Sequence, residues 1–171
     1  VSTDGRILKE PDERNIGMVF QDLALWPHLT VKQNLEFGLK VRGVRRDARE
    51  RRVRELLELF HMENHIHSKP SRLSGGEQQR AALARALVLD PGIMLMDEPL
   101  SSLDFELSVH LRNEITRIQE KAGFTLLYVT HDLEEAFGMG HRVVVMKDGG
   151  ISMVGTPDEA KRYFDGLLGK N

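Results

Sequence analysis

Asp97 and Glu98 stand side by side at the end of the apolar run Ile93-Met94-Leu95-Met96, and Pro99 follows them. A continuous apolar run of this kind reads as a parallel strand covered on both faces. The carboxyl end of such a strand is where an open α/β sheet places its chemistry. One carboxylate there can hold a divalent cation while its neighbour polarises a water. Desolvated adjacent carboxylates repel each other unless a cation or positive partner offsets them. Upstream, Leu73-Ser74-Gly75-Gly76-Glu77-Gln78-Gln79-Arg80 reads as the opening of a helix. Backbone N–H groups and the helix dipole at Gly75 and Gly76 favour an anion there, phosphate above all. Ser74 and Glu77 also form a Ser-x-x-Glu capping box, which any helix could use. The box accounts for the serine and the glutamate, but not for glycines in the first turn. Those weaken a helix unless something must approach its backbone closely. Together the two stretches point to hydrolysis of a nucleoside triphosphate.

Two further residues acquire meaning from position. His131 follows the apolar run 124–129 and precedes the acidic helix start of Asp132, Glu134 and Glu135, and Gln21 leaves a short apolar run at 16–20. Five segments in order then resemble the motifs of ABC-transporter ATPase subunits. They are Met18-Val19-Phe20-Gln21 (Q-loop), the Leu73–Arg80 stretch (signature), Ile93–Pro99 (Walker B), Ser101–Asp104 (D-loop) and Tyr128–Asp132 (H-loop). The resemblance covers nearly the whole chain. It implies ATP and Mg²⁺ as cofactors, with Asp97 and Gln21 on the metal, Glu98 as general base on the attacking water and His131 on the γ-phosphate. It also implies a head-to-tail dimer with a second ATPase subunit. In that dimer Ser74, Gly75, Gly76, Glu77, Gln78 and Asp104 would serve nucleotide binding, the glycine amides closing over nucleotide held by the other subunit.

The implied fold is α/β, a P-loop NTPase-like and mostly parallel sheet with an inserted helical subdomain. Residues 1–27 and 91–171 would form the core lobe, and residues 28–90 the helical subdomain that carries the signature. The pattern Gly-x-x-x-x-Gly-Lys-[Ser/Thr], which would cradle the phosphates, occurs nowhere in the 171 residues. Because the chain also opens on Val1 in mid-pattern, an N-terminally incomplete ATPase domain is expected. Such a chain is expected to show no significant ATPase activity alone and only weak nucleotide affinity. Its sheet would lack a central neighbour, leaving edges and apolar faces uncovered and prone to aggregation.

Gln21–Val31, with Gly155-Thr156-Pro157, resembles ATPase subunits of binding-protein-dependent importers of small solutes. Transmembrane permease subunits would then be direct partners and a solute-binding protein an indirect one, at the cytoplasmic face of the cell membrane. A non-catalytic partner that lends its signature to an intact subunit is the alternative. A soluble ABC-type ATPase of DNA repair or translation fits less well, because long coiled-coil insertions and paired cassettes are missing.

Composition agrees with a single ordinary domain. The chain has 40% hydrophobic residues, a net charge of −2 and no cysteine. The charge gives no general pull toward nucleic acid, and disulfides, thiolate nucleophiles and cysteine-ligated metals are excluded. No apolar run approaches the roughly 20 residues that cross a bilayer, so any membrane role is expected to come through a partner. The seven arginines between Arg42 and Arg54 are interleaved with Glu50 and Glu55, which favours a solvated, ion-paired helix face over a nucleic-acid surface. His61, His65 and His67 have metal-ligand spacing, but no Glu or Asp accompanies them in an active-site pattern, so a metal site is not expected there.

The elements that position the chemistry follow from pattern. Thr30 should open a helix that Gly43 ends. Asp47 and Glu50 should open another, burying Val53, Leu56, Leu57 and Phe60 on one stripe. Ala81, Ala82, Ala84 and Ala86 suit a tightly packed signature helix. Leu111, Ile115, Ile118 and Ala122 mark the buried stripe of the helix after Asp104. Residues 6–9 and 16–20 read as strands joined by the turn Glu10–Glu13. Residues 142–147 and 151–154 read as a hairpin about Asp148-Gly149-Gly150, and Thr156, Pro157 and Glu159 as a final helix start.

Overall fold

The computed structural model describes residues 2, 3, 6, 7, 9, 10, 13–101 and 103–168. It divides after Val129 into two compact units. The first opens on a short antiparallel pair, β1 (Ser2–Thr3) and β2 (Arg6–Ile7). Leu8 of the expected first strand, and Pro11 and Asp12 of the expected turn, lie outside the described residues, as does Ser102 of the D-loop. The unit is built on a parallel sheet of β3 (Ile16–Val19), β4 (Ile93–Asp97) and β5 (Thr125–Val129), with β4 in the middle. The chain passes from β3 to β4 through α1 (Val31–Val41), α2 (Arg46–Leu59) and α3 (Gly75–Leu87), and from β4 to β5 through α4 (Phe105–Ala122).

Register sets the two faces of that sheet. Val19 lies opposite Met96 and Met96 opposite Tyr128, while Met18, Leu95 and Leu127 form the adjacent row. Because side chains alternate along a strand, Gly17, Val19, Met94 and Met96 point into the core and are buried. Ile16, Met18, Ile93, Leu127 and Val129 point the other way and are between 38% and 57% exposed. The expectation of strands covered on both faces is therefore corrected. Among the described residues one face packs under helices and the other is open, as the expectation of uncovered apolar faces requires.

Helix boundaries follow local chemistry. Thr30 caps α1, accepting from the Gln33 amide at 3.2 Å while the Gln33 side chain accepts from the Thr30 amide at 2.8 Å. Gly43 takes φ +69° just beyond its end, a left-handed step that glycine makes without a Cβ clash. The expected Asp-x-x-Glu opening of α2 does not form. Arg45 is its N-cap, without a side-chain bond, and Glu50 pairs with Arg46 at 3.0 Å. A carboxylate held one turn along the helix is not available to reach back to a cap. Val53, Leu56, Leu57 and Phe60 are all buried as expected, as are Ala81, Ala82 and Ala84 of α3. In α4, Leu111, Ile115 and Ile118 are buried, but Ala122 is exposed because the helix stops there, before Gly123 at φ +73°.

The second unit holds α5 (Leu133–Met139), β6 (Val143–Lys147), β7 (Gly150–Gly155) and α6 (Pro157–Leu168). The strands pair antiparallel, and Asp148 and Gly149 turn the hairpin at φ +50° and +76°, the left-handed pair that a type I′ turn demands. Glu159 accepts from the Thr156 amide at 2.8 Å, and Thr156 accepts from the Glu159 amide at 3.3 Å, closing the cap on α6. Phe137, Tyr163 and Phe164 form its aromatic cluster.

Candidate functional site

Parallel register brings the ends of β3, β4 and β5 to one edge. Asp97 ends β4 opposite Val129, and the Glu98 amide still donates to the Val129 carbonyl at 2.9 Å. Asp97 is exposed and Glu98 half-buried. The pair is thus not desolvated as expected, because the edge opens to solvent. Asp97 meets no ion-pair partner among the described residues. Glu98 has φ +42°. A non-glycine residue there carries backbone strain of about 1–3 kcal/mol, which persists only where neighbours enforce it. The Val129 carbonyl on one side and the turn into Pro99 on the other hold it.

Gln21 reaches the same edge. Its Nε2 donates to Ser101 Oγ at 3.5 Å, and Ser101 Oγ donates to the Glu98 carbonyl at 3.0 Å. Ser101 was legible only as part of a connector. Its role as the bridge to Glu98 rests on a bond from Gln21, 80 residues from Ser101, and has no local signal. Asp104 caps α4, accepting from the Leu107 amide at 2.9 Å. His131 opens the second unit and is exposed. It sits in a tight turn in which the Asp132 amide donates to Thr130 Oγ1 at 3.0 Å, and Thr130 Oγ1 donates to Glu135 at 2.7 Å. Asp132 in turn accepts from the Glu134 and Glu135 amides and caps α5.

The Ser74 segment is built as a capped helix start. Glu77 accepts from the Ser74 amide at 2.7 Å, and Ser74 Oγ accepts from the Glu77 amide at 3.4 Å. The Ser74 amide and hydroxyl hold the Glu77 carboxyl below the usual carboxylate range. The second Glu77 oxygen lies 3.2 Å from His65 Nε2, so His65 braces the cap. Among the described residues no cluster of three metal-ligating side chains occurs. Gln78 donates to the Leu73 carbonyl at 3.1 Å. The two glycines differ. Ser74 and Gly75 are exposed, whereas Gly76 is buried, and a Cβ on it would lie 3.1 Å from the Leu107 side chain. What approaches the backbone at Gly76 is therefore helix α4, and only Gly75 presents an open face.

The segment after Gln21 is held from two sides. Asn34 of α1, 1% exposed, accepts from the Trp26 amide and donates to the carbonyls of Trp26, Leu29 and Thr30. Arg85 of α3 donates to the carbonyls of Leu23, at 3.0 Å, and Ala24. Leu23 and Ala24 take φ +59° and +45°. On the outer face Trp26 packs on Phe37, ring centroids 4.6 Å apart.

A parallel α/β sheet with acids at its carboxyl edge and a capped glycine helix start are the features of a P-loop NTPase-like fold. The profile of the family described as "ABC transporter" matches residues 2–101, and the chain belongs to that family. It is 48% identical over 161 residues to the spermidine/putrescine import ATP-binding protein of Oleidesulfovibrio alaskensis, covering 93% of this chain and 43% of that protein. It is 51% identical over 150 residues to an Fe(3+) ions import ATP-binding protein of Fusobacterium nucleatum, covering 88% and 40%. The trehalose/maltose import ATP-binding protein of Thermococcus litoralis is 46% identical over 168 residues, covering 95% and 45%. The chain thus spans less than half the length of these relatives. Among solved structures, cbiO1 from Clostridium perfringens, part of the cbiONQ ABC transporter complex, superposes with a TM-score of 0.83 at 26% identity. That match covers 96% of this chain and 68% of cbiO1.

Proposed function

We propose that this chain is the ATP-binding part of an importer ATPase, working at the cytoplasmic face of a membrane with permease subunits and a second ATPase subunit. The observation that carries the reading is the sheet edge that gathers Gln21, Asp97 and a strained Glu98. An exposed, unpaired Asp97 with few other protein donors suits Mg²⁺, which keeps several waters and takes one or two carboxylates beside phosphate oxygens. Asp97 and Gln21 would hold it, and the ion would neutralise charge developing on the phosphates. Phosphoryl transfer otherwise needs positioning and an aligned water. Glu98 orients that water and accepts its proton, and His131 contacts the γ-phosphate. Ser74, Gly75 and Gly76, braced by Glu77 and Gln78, face nucleotide on a head-to-tail partner, with Asp104 shaping the adjoining connector. Gly75 makes the open contact while Gly76 keeps α4 close. Residues 28–90 act as a helical subdomain on a core lobe of 1–27 and 91–171. The transported solute belongs to the class of small solutes that binding proteins deliver.

With no phosphate-cradling pattern in its 171 residues, the chain by itself hydrolyses ATP negligibly and binds it weakly. An ATPase assay on the purified chain should stay at background. Turnover that Glu98→Gln abolishes would overturn this part of the reading. The exposed Gly75 at the start of α3 supports a second role, the signature donated to an intact subunit. Mixing the chain with an intact importer ATPase whose own signature serine is replaced should then restore turnover. No restoration would sink the donor role.

A further inference from the structure

We propose that Arg85 is a positioning residue that fastens the Leu23–Trp26 segment to α3, so that the chain leaving Gln21 and the helix opening at Ser74 move as one body. Arg85 grips two successive carbonyls with one guanidinium, those of Leu23 and Ala24. A planar fork holds both carbonyls at a fixed spacing, whereas an ammonium is a point charge on a flexible stem. The same guanidinium lies 5.1 Å from the centroid of the Trp26 ring, within cation–π range. Leu23 and Ala24 are both left-handed without being glycine, a conformation that reverts unless something holds it. Arg85 supplies the hold from the helix side, and Asn34 of α1 holds the backbone of Trp26 just beyond. Burial of Arg85 lowers its pKa, and Asp22 is the acid that opposes this, so the segment also brings a countercharge to its own clamp. Outward, Trp26 and Phe37 form an aromatic pair in which Trp26 is half-buried and Phe37 exposed. The functional weight of the Arg85 link rests on the importer-ATPase reading; the link itself does not.

Trp26 is the chain's single tryptophan, so its fluorescence reports on this segment alone. In the full chain, without nucleotide or partner, Arg85→Met should move Trp26 emission to longer wavelength and raise acrylamide quenching at least twofold. Amide exchange of Leu23–Trp26 should accelerate at least tenfold while that of Ala81–Ala84 stays within twofold. Arg85→Lys should shift both in the same direction by less. Adding Ala24→Gly, which removes the left-handed penalty at one of the two positions, should restore part of the lost protection. Emission and exchange unchanged in Arg85→Lys and Arg85→Met overturn the proposal. If Arg85→Met does not fold, Arg85→Lys decides, and wild-type behaviour there overturns it equally. Because no arm uses ATP, failure here leaves the ATPase reading standing, and failure of the ATPase assays leaves the clamp standing.

Discussion

Glu77 shows how much of the Ser74 segment is held by one carboxylate. Both its oxygens are engaged, by the Ser74 amide at 2.7 Å and by His65 at 3.2 Å. Its pKa is depressed by the Ser74 amide first and the Ser74 hydroxyl second. A depressed folded pKa contributes stability that is present above the ordinary carboxylate value and lost as pH falls through the folded one. The opening of α3 should therefore loosen only below the usual carboxylate range. The Ser74 amide resonance followed by NMR during acidification should show this, and Glu77→Gln should remove the acid-dependent phase. Removing the other half of the box, with Ser74→Ala, should cost about 1 kcal/mol in urea unfolding. At the same scale Glu98 departs from ordinary strand geometry. Its φ of +42° has no signature in residue type, because glutamate is not a residue that sequence marks for left-handed backbone.

At the scale of elements, the sheet and α3 touch where one side chain is missing. A Cβ on Gly17 of β3 would sit 2.9 Å from the Ala86 carbonyl of α3. A backbone oxygen cannot step aside as a side-chain end can, so Gly17→Ala should destabilise by about 1–3 kcal/mol. A lower urea midpoint with unchanged slope would register that loss. The last turn of α3 is tied in another way. Arg52 of α2 donates to the carbonyls of Leu87 and Val88 at 3.0 and 3.3 Å, placing a cation on a helix C-terminus. This arginine of the basic run ties one helix to the end of another, and Arg52→Met should lower the melting temperature where Arg51→Met does not. Differential scanning calorimetry of the two variants makes the comparison.

For the whole molecule, the open sheet face matters most. Ile16, Met18, Ile93, Leu127 and Val129 share one side of β3–β4–β5. A contiguous apolar patch exposed on a sheet promotes self-association. Leu127, 57% exposed, is the place to test this. Leu127→Thr keeps β-propensity and lowers apolar area, so it should reduce concentration-dependent light scattering with little change in thermal stability. Scattering equal to that of the parent chain would count against the face as the source.

Sequence by itself determined what depends on neighbours a few residues apart. The caps of α3 and α6, the hairpin turn at Asp148 and Gly149, the buried stripe of α2 and the order of the five motifs were all legible, because a capping bond or a turn closes within one local segment. Only the tertiary structure decided what distant chain does at those places. It packed Leu107 against Gly76, left Asp97 in solvent, linked Gln21 to Glu98 through Ser101 and brought Arg85 to carbonyls about 60 residues away. Such contacts depend on how helices and strands settle against one another, and residue type and spacing carry no measure of that.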